Sequence, residues 1–247
     1  MKRERRRHPV RNFILILFLL MLGAAAAVSI YFGVKGYRLY QNAISQTTIE
    51  ERVESIRAET DFVEYSQMPK FYIDAVISVE DHRFMYHPGI DPIAILRAAL
   101  TDIRERAFIE GGSTITQQLA KNLLFTQDKK IERKAAEVFA AFDLEKKYGK
   151  EEIFELYVNM NCFGSGYDGF FDAAIGYFGK FPAELTKYES AMLAGIPNAP
   201  SAYSPYVNLE LANQRVAQVL QSMVNHRIIT QDEAEQILAG AWKGEVS

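Results

Sequence analysis

Residues 110–122 read EGGSTITQQLAKN, and in this stretch two glycines lead directly into a helical pattern. Ile115, Leu119 and Leu123 recur at four-residue spacing, which predicts a helix with one apolar face. We expect Ser113 to cap this helix, because its hydroxyl can accept a hydrogen bond from the first turn. The other face presents a hydroxyl, an amide and a cation, on Thr114, Gln118 and Lys121. Glycines at a helix N-terminus leave backbone N–H groups open to an anion, so the stretch predicts a phosphate or sugar site.

Helical patterns continue on both sides of this stretch, and no alternating strand pattern of useful length occurs. Asp91-Pro92 predicts a helix start, since aspartate caps helices and proline suits the first helical position. Residues 163–181, rich in glycine and aromatic residues, are expected to form mainly loop. Further helices are predicted over 129–148, 150–160, 186–195, 209–226 and 230–241. The fold class is therefore mainly α.

Composition narrows the class of protein. The 247 residues are 49% hydrophobic and 24% charged, which is typical of a well-buried globular domain. The single cysteine, Cys162, excludes an intrachain disulfide framework, and with four histidines it argues against a zinc module. Residues 1–12 carry six basic side chains and one acidic one, so the other 235 residues hold −3 − 5 = −8 charges. An acidic domain argues against nucleic-acid binding.

The N-terminal segment predicts a membrane anchor. Residues 13–34 form 22 positions without a charge, and about 20 apolar residues suffice to cross a bilayer as a helix. The basic tail before them places residue 1 in the cytoplasm and the rest of the chain outside. A cleaved signal peptide is the alternative, because Ala24–Ala27 offer small residues to a peptidase. We favour the uncleaved anchor, because the apolar run continues through Phe32.

The predicted domain organisation follows from this anchor. Residues 1–12 form a cytoplasmic tail and residues 13–34 a transmembrane helix. Residues 35–60, polar and weakly periodic, are expected to be a juxtamembrane stalk. Residues 61–247 are expected to form the extracytoplasmic domain.

Two further clusters could carry chemistry. Glu80 ends an apolar helical face, where partial desolvation raises the pKa of a carboxylate and suits a general base. By itself, the cluster around Glu80 is better explained as a solvated helix end with an Asp–Arg ion pair. Arg133 and Glu137 lie four residues apart, which is the spacing of a common surface ion pair. The helix becomes apolar immediately after Glu137, however, which favours a cleft over open solvent for these charges.

Taken in order, these segments resemble the peptidoglycan glycosyltransferases, the lysozyme-like family 51, from about residue 65 to 225. The motifs are E-D-x-x-F-x-x-H-x-G at 80–89, G-G-S-T-I-T-Q-Q-x-x-K-N at 111–122, R-K-x-x-E at 133–137 and Y-x-N at 157–159. The resemblance implies a lysozyme-like domain on one N-terminal transmembrane helix. It also implies a monofunctional member, because no Ser-x-x-Lys or Lys-Thr-Gly transpeptidase motif follows.

The resemblance also implies residue roles. Glu80 corresponds to the base that deprotonates the 4-hydroxyl of lipid II, and Glu137 to the carboxylate that assists departure of the donor pyrophosphate. No cofactor is obligatory, although a divalent Mg or Mn ion beside Glu137 is compatible with the family. The implied substrate-binding residues are Asp81, Phe84, His87, Ser113, Thr114, Gln118, Lys121, Arg133 and Lys134.

By resemblance, the enzyme transfers the growing lipid-linked glycan to lipid II with inversion, releasing undecaprenyl pyrophosphate in bacterial cell wall biogenesis. The expected partners are lipid II, membrane lipids and penicillin-binding transpeptidases. A segment over 95–125 is expected to dip into the cytoplasmic membrane, with Arg104, Arg106, Phe108 and Ile109 at its surface.

Two alternatives remain open: a lysozyme-like hydrolase of the same fold and an inactive anchored binding module. A diphosphate leaving group needs cations such as Lys121, whereas a hydrolase needs a protonated carboxyl, so the cations favour transfer. The presence of both Glu80 and Glu137 argues against an inactive module.

Overall fold

The computed structural model describes residues 9–105, 112–125 and 130–241. Within these ranges the chain forms twelve α-helices and four single-turn 3₁₀-helices, with one isolated β-bridge between Cys162 and Asp168. The prediction of a mainly α fold is therefore confirmed. The α-helices are α1 (Pro9–Gln46), α2 (Ile49–Arg57), α3 (Lys70–Glu80), α4 (Pro92–Glu105), α5 (Ile115–Leu124), α6 (Ile131–Lys147), α7 (Lys150–Asn159), α8 (Phe170–Phe178), α9 (Lys187–Gly195), α10 (Pro200–Tyr203), α11 (Leu209–Asn225) and α12 (Gln231–Ala239).

Helix α1 contains the predicted transmembrane segment and continues beyond it. Of the helices in the described ranges, it alone is long and apolar enough, over Asn12–Gln46, to cross a bilayer by length and composition. Its large apolar side chains from Phe13 to Leu22 are exposed, as suits contact with lipid. The remainder of α1 has a different environment, because it packs along α6.

Residues 35–60 are not a stalk, which corrects the prediction. Tyr40 Oη donates a 2.6 Å hydrogen bond to Asp143 on α6. Gly36 lies so close to α6 that a Cβ at this position would be 2.5 Å from Ala135 Cβ. Helix α2 then buries three apolar side chains, on Ile49, Val53 and Ile56. The folded unit therefore begins well before residue 61. The sequence pattern did not indicate this, because a short amphipathic helix with only three buried positions has a mostly polar sequence.

The core positions the polar ends of α3 and α5. Helix α3 packs against α9 and α11 and buries Tyr72 and Val76, while α5 packs against α6 and α7 and buries Ile115 and Leu119. Full burial of such a side chain contributes roughly 1.5–3 kcal/mol. Because α5 belongs to the core, the expected membrane-dipping segment over 95–125 cannot include it. Residues 106–111, with Arg106, Phe108 and Ile109, lie outside the described ranges.

Two local predictions are wrong, and one is confirmed. The N-cap of α5 is Thr114 and not Ser113, because Thr114 and Gln117 form a reciprocal capping box. Helix α8 lies inside the segment expected to be loop, and glycines with positive φ flank it at both ends. The predicted start of α4 is confirmed, since Asp91 Oδ1 accepts hydrogen bonds from Ile93 N at 2.9 Å and Ala94 N at 3.0 Å.

Candidate active site

Glu80 is the last residue of α3, and its carboxylate is largely buried. Burial raises its pKa above the ordinary value, while Gln118 and Arg215 oppose that rise by favouring the ionised form. This agrees with the sequence prediction of a desolvated carboxylate at the end of an apolar face. A raised pKa brings the carboxylate nearer to the range in which a general base works.

The two oxygens of Glu80 have different surroundings. Gln118 Nε2 donates a 2.8 Å hydrogen bond to Oε2, and Tyr157 Oη donates at 3.4 Å to the other end of the same amide. Within the described residues, Oε1 accepts no hydrogen bond, and Arg215 Nη2 is 4.0 Å from it. One oxygen is thus held in place while the other is available to take a proton.

Basic side chains line the site on one side of Glu80. Glu137, buried on α6, has Lys134 Nζ at 2.9 Å from Oε2 and Arg133 Nε at 3.2 Å from Oε1. Lys134 also donates a 2.5 Å hydrogen bond to Ser113 Oγ, which joins α6 to the start of α5. Burial lowers the pKa of Lys121, although Glu137 opposes that change.

These residues line a cleft of about 380 Å³, which we call the Glu137 cleft. It contains six of the predicted residues besides Glu80: Ser113, Gln118, Lys121, Arg133, Lys134 and Glu137. Pro197 and Asn198 close it from the segment that follows α9. The helix register explains this arrangement, because Gln118 and Lys121 lie three residues apart and share one face of α5.

A second cleft of about 440 Å³ opens on the other side of Glu80, and we call it the Arg97 cleft. Its basic side chains are Arg97 from α4, Arg215 and His226 from the α11 region, and His82 from the segment after α3. The two clefts share Val79, Glu80, Ser113 and Asn198, so Glu80 lies where they meet.

Four of the predicted site residues hold the framework of the site. Asp81 Oδ2 lies 2.9 Å from His87 Nε2 and accepts a 3.1 Å hydrogen bond from Ile115 N, which ties the end of α3 to the start of α5. Thr114 Oγ1 donates to Gly89 O at 2.6 Å. Asp81 and Thr114 line the Arg97 cleft, whereas Phe84 and His87 line neither cleft and are buried.

Sequence reasoning missed Arg97, Asn198, Arg215 and His226. Arg97 could have been found, because it interrupts a row of apolar residues on α4. Arg215 and His226 gave no local signal, since α11 is far from Glu80 in the chain and meets it only through tertiary packing.

The residues beside Glu137 do not fit a divalent ion. Each of its oxygens already faces a cation, on Arg133 or Lys134, and a metal would have to displace these side chains. Among the described residues, no group of three or more His, Cys, Asp and Glu side chains could hold a metal ion. In the part of the chain that the structure describes, the positive charge beside Glu137 is carried by the side chains of Arg133 and Lys134.

Comparison of the sequence with known proteins identifies its family. The family model described as Transglycosylase matches residues 45–224. The chain belongs to this transglycosylase family. A protein of Cupriavidus necator described as a transglycosylase is 38% identical over 228 residues, covering 92% of this chain and 94% of that protein.

Longer proteins are also similar to part of this chain. Penicillin-binding protein 1A of Aquifex aeolicus is 43% identical over 175 residues, which are 71% of this chain and 24% of that protein. The chain thus spans about a quarter of the length of this relative. A crystal structure of penicillin-binding protein 1A from Haemophilus influenzae matches 53% of this chain and 17% of its own, at 26% identity and a TM-score of 0.38.

The family resemblance inferred from the motifs is therefore confirmed. The matched region begins at residue 45, within the segment that had been expected to be a stalk, and so agrees with the packing of α2. The transglycosylase domain contains all eleven residues for which the resemblance implied roles, from Glu80 to Glu137.

Proposed function

We propose that this chain polymerises peptidoglycan glycan strands from lipid II as a membrane-anchored transglycosylase. The observation that supports it best is the position of Glu80 at the junction of two clefts that both carry basic side chains. A polymerase that joins two lipid diphosphate-linked sugars needs two anion-binding sites with a base between them. The Glu137 cleft is assigned to the donor and the Arg97 cleft to the acceptor.

In the proposed step, Glu80 Oε1 accepts the proton of the acceptor 4-hydroxyl, and the hydroxyl oxygen forms a bond to C1 of the donor sugar. The bond from C1 to the diphosphate oxygen breaks on the opposite face, so the configuration at C1 inverts. Oε1 suits this role, because among the described groups none donates a hydrogen bond to it. Gln118 holds the other carboxylate oxygen and fixes the direction of attack.

The diphosphate of undecaprenyl pyrophosphate leaves with negative charge, which Lys121, Arg133 and Lys134 are placed to stabilise. Stabilisation of developing charge by such fixed groups is worth about 10²–10³ in rate for each donor. Glu137 orients the two cations with which it pairs. A lysozyme-like hydrolase instead needs a protonated carboxyl at its leaving group, and Glu137 between Arg133 and Lys134 does not suit that role.

The substrate's lipid agrees with the proposed location. Helix α1 supplies the membrane anchor, with the basic N-terminal tail inside and the catalytic domain outside the cytoplasmic membrane. Helix α4 exposes Ile93, Leu96 and Leu100 beside Arg97 and Arg104, a combination that suits acyl chains and anionic headgroups. Penicillin-binding transpeptidases remain the proposed protein partners, because they would cross-link the strands.

The test is incubation of the full chain with labelled lipid II in detergent, followed by gel separation of the products. Wild type and the control Glu151→Gln, at an exposed position of α7, are expected to give a ladder of long glycans, and Glu80→Gln none. Retention of lipid II without a ladder from wild type would instead indicate a binding module. Shortening of pre-made glycan would indicate a hydrolase.

A further inference from the structure

His82 and His226 form a stacked pair that the proposed chemical step does not use. Their ring centroids are 4.4 Å apart and their planes differ by 9°. His82 follows the end of α3, whereas His226 caps the C-terminus of α11, so tertiary packing alone brings the rings together. Both rings line the Arg97 cleft.

Charged groups of both signs surround the pair: Arg97 and Arg215 line the same cleft, and so do the carboxylates of Glu80 and Asp81. Arg97 approaches both rings from α4, and Arg83 acts on His82 from the same segment. Arg83 is ion-paired with Asp91, which is the acidic group that favours the charged form of His82. On the α11 side, His226 Nδ1 lies 3.4 Å from Ser222 Oγ, a neutral partner.

This environment favours neutral rings in the ligand-free protein. Burial lowers the pKa of both histidines below the ordinary value, and the neighbouring charge of Arg97 lowers it further. Two stacked imidazolium rings would also repel each other at 4.4 Å. Protonation is therefore unfavourable until an anion compensates for the added charge.

The cleft is suited to an anion that carries a hydrocarbon tail. Arg97 and Arg215 line it together with the two rings, so four nitrogen-bearing side chains can converge on one ligand. Arg97 also borders the exposed apolar surface of α4, formed by Ile93, Leu96 and Leu100. A ligand with its anionic head in the cleft and its hydrocarbon on α4 satisfies both surfaces.

We propose that the His82–His226 pair binds the diphosphate of the lipid-linked acceptor and takes up protons as it does so, which makes acceptor affinity rise as the pH falls below neutral. The identity of the acceptor rests on the proposed function. The anion and its coupling to protons rest on the cleft alone. Since the domain is proposed to lie outside the membrane, this coupling would make strand synthesis respond to the external pH.

The direct test measures inorganic pyrophosphate binding to the full chain in detergent by calorimetry. Buffers of different ionisation enthalpy give the number of protons taken up. Each proton taken up on binding changes affinity by up to about tenfold per pH unit. We expect the ratio of wild-type affinity at about pH 5.5 to that at about pH 7.5 to be about fivefold larger than the same ratio for His82→Asn/His226→Asn. Division by the double variant's ratio also removes the titration of pyrophosphate itself.

Two further variants separate charge from shape. His226→Arg is expected to bind pyrophosphate tightly at both pH values, because its charge no longer titrates. Thermal unfolding of each variant in the same buffers shows whether it is folded. An equal pH ratio and equal proton uptake in wild type and the double variant would overturn the proposal.

Activity and lipid measurements distinguish the possible failures. In wild type, the KM for lipid II is expected to decrease as the pH decreases. In the double variant, the KM is expected not to change with pH in this way. Proton-coupled pyrophosphate binding without any polymerisation would reject the proposed function and leave the anion site standing. Polymerisation without proton-coupled pyrophosphate binding would reject the proposed role of the histidine pair. Binding to phosphatidylglycerol vesicles that depends on both histidines and that pyrophosphate does not displace would overturn the diphosphate assignment.

Discussion

Replacement of Gln118 by methionine tests whether this amide tunes the base. Gln118→Met keeps the length of the side chain and removes the 2.8 Å hydrogen bond to Glu80 Oε2. That bond stabilises the ionised carboxylate, so its loss adds to the effect of burial and raises the pKa of Glu80 further. A hydrogen bond to a charged group contributes about 1.5–3 kcal/mol, and one pKa unit corresponds to about 1.4 kcal/mol.

The expected shift is therefore about 1–2 pH units. The proposed step needs ionised Glu80, so the acidic limb of kcat/KM against pH moves upward by that amount. Well above the new pKa, the rate recovers to within a few-fold of wild type. The assay is the initial rate of lipid II polymerisation from about pH 5 to about pH 9. Gln231→Met is the matched control, because its amide also donates to a carboxylate, that of Glu235, but on the exposed face of α12.

A uniform loss of rate at every pH would refute this reasoning and would show that Gln118 acts by contacting substrate. Tyr157→Phe gives a second point on the same scale. It removes the 3.4 Å hydrogen bond to the Gln118 amide, and we expect a smaller shift in the same direction. A shift toward lower pH in either variant would contradict the proposed sign.

Three other substitutions test the framework and the donor cleft. Gly36→Ala is expected to lower the free energy of unfolding by about 1–3 kcal/mol, because the added Cβ would meet α6. Gly33→Ala, with open space around the added Cβ, is the control and is expected to leave stability unchanged. Asp91→Asn is expected to cost about 2 kcal/mol near neutral pH, since the ion pair with Arg83 helps to hold the pKa of Asp91 at about 2. That stability is present above the unfolded value of 3.8 and disappears as the pH falls toward 2, so unfolding curves for the two proteins should converge there. Lys121→Met is expected to lower kcat about a hundredfold, and a change confined to KM would contradict its role at the leaving group.

Local sequence signals predicted the helices that carry the proposed catalytic residues. The apolar spacing of Ile115 and Leu119 identified α5, and the position of Glu80 at the end of an apolar face predicted its burial. The error at the N-cap was avoidable, because Thr114 has a glutamine three residues later and Ser113 does not. The local sequence was therefore sufficient to identify Thr114 as the N-cap, once the reciprocal capping box was considered.

The remaining parts of the site depend on packing that no local pattern encodes. Arg215 reaches Glu80 because α11 packs against α3, and the two histidines meet for the same reason. The segment over 35–60 was mistaken for a stalk because its burial depends on partners in α6 and α7 that lie far along the chain. Residues such as Val53 show their role only when those partners are in place.

The unbroken helix α1 fixes both the height of the domain above the membrane and its rotation about the anchor. From the end of the proposed span at Val34 to Gln46, the helix rises about 18 Å at about 1.5 Å per residue, and contacts such as Tyr40 with Asp143 prevent the domain from swinging about it. Each residue inserted near Val34 would raise both clefts by about 1.5 Å and turn them by about 100° around the anchor. Under the proposed function, both lipid-linked substrates must therefore diffuse to clefts held at a fixed height and direction relative to the bilayer. The growing strand must then move past the enzyme, because the domain cannot tilt along it.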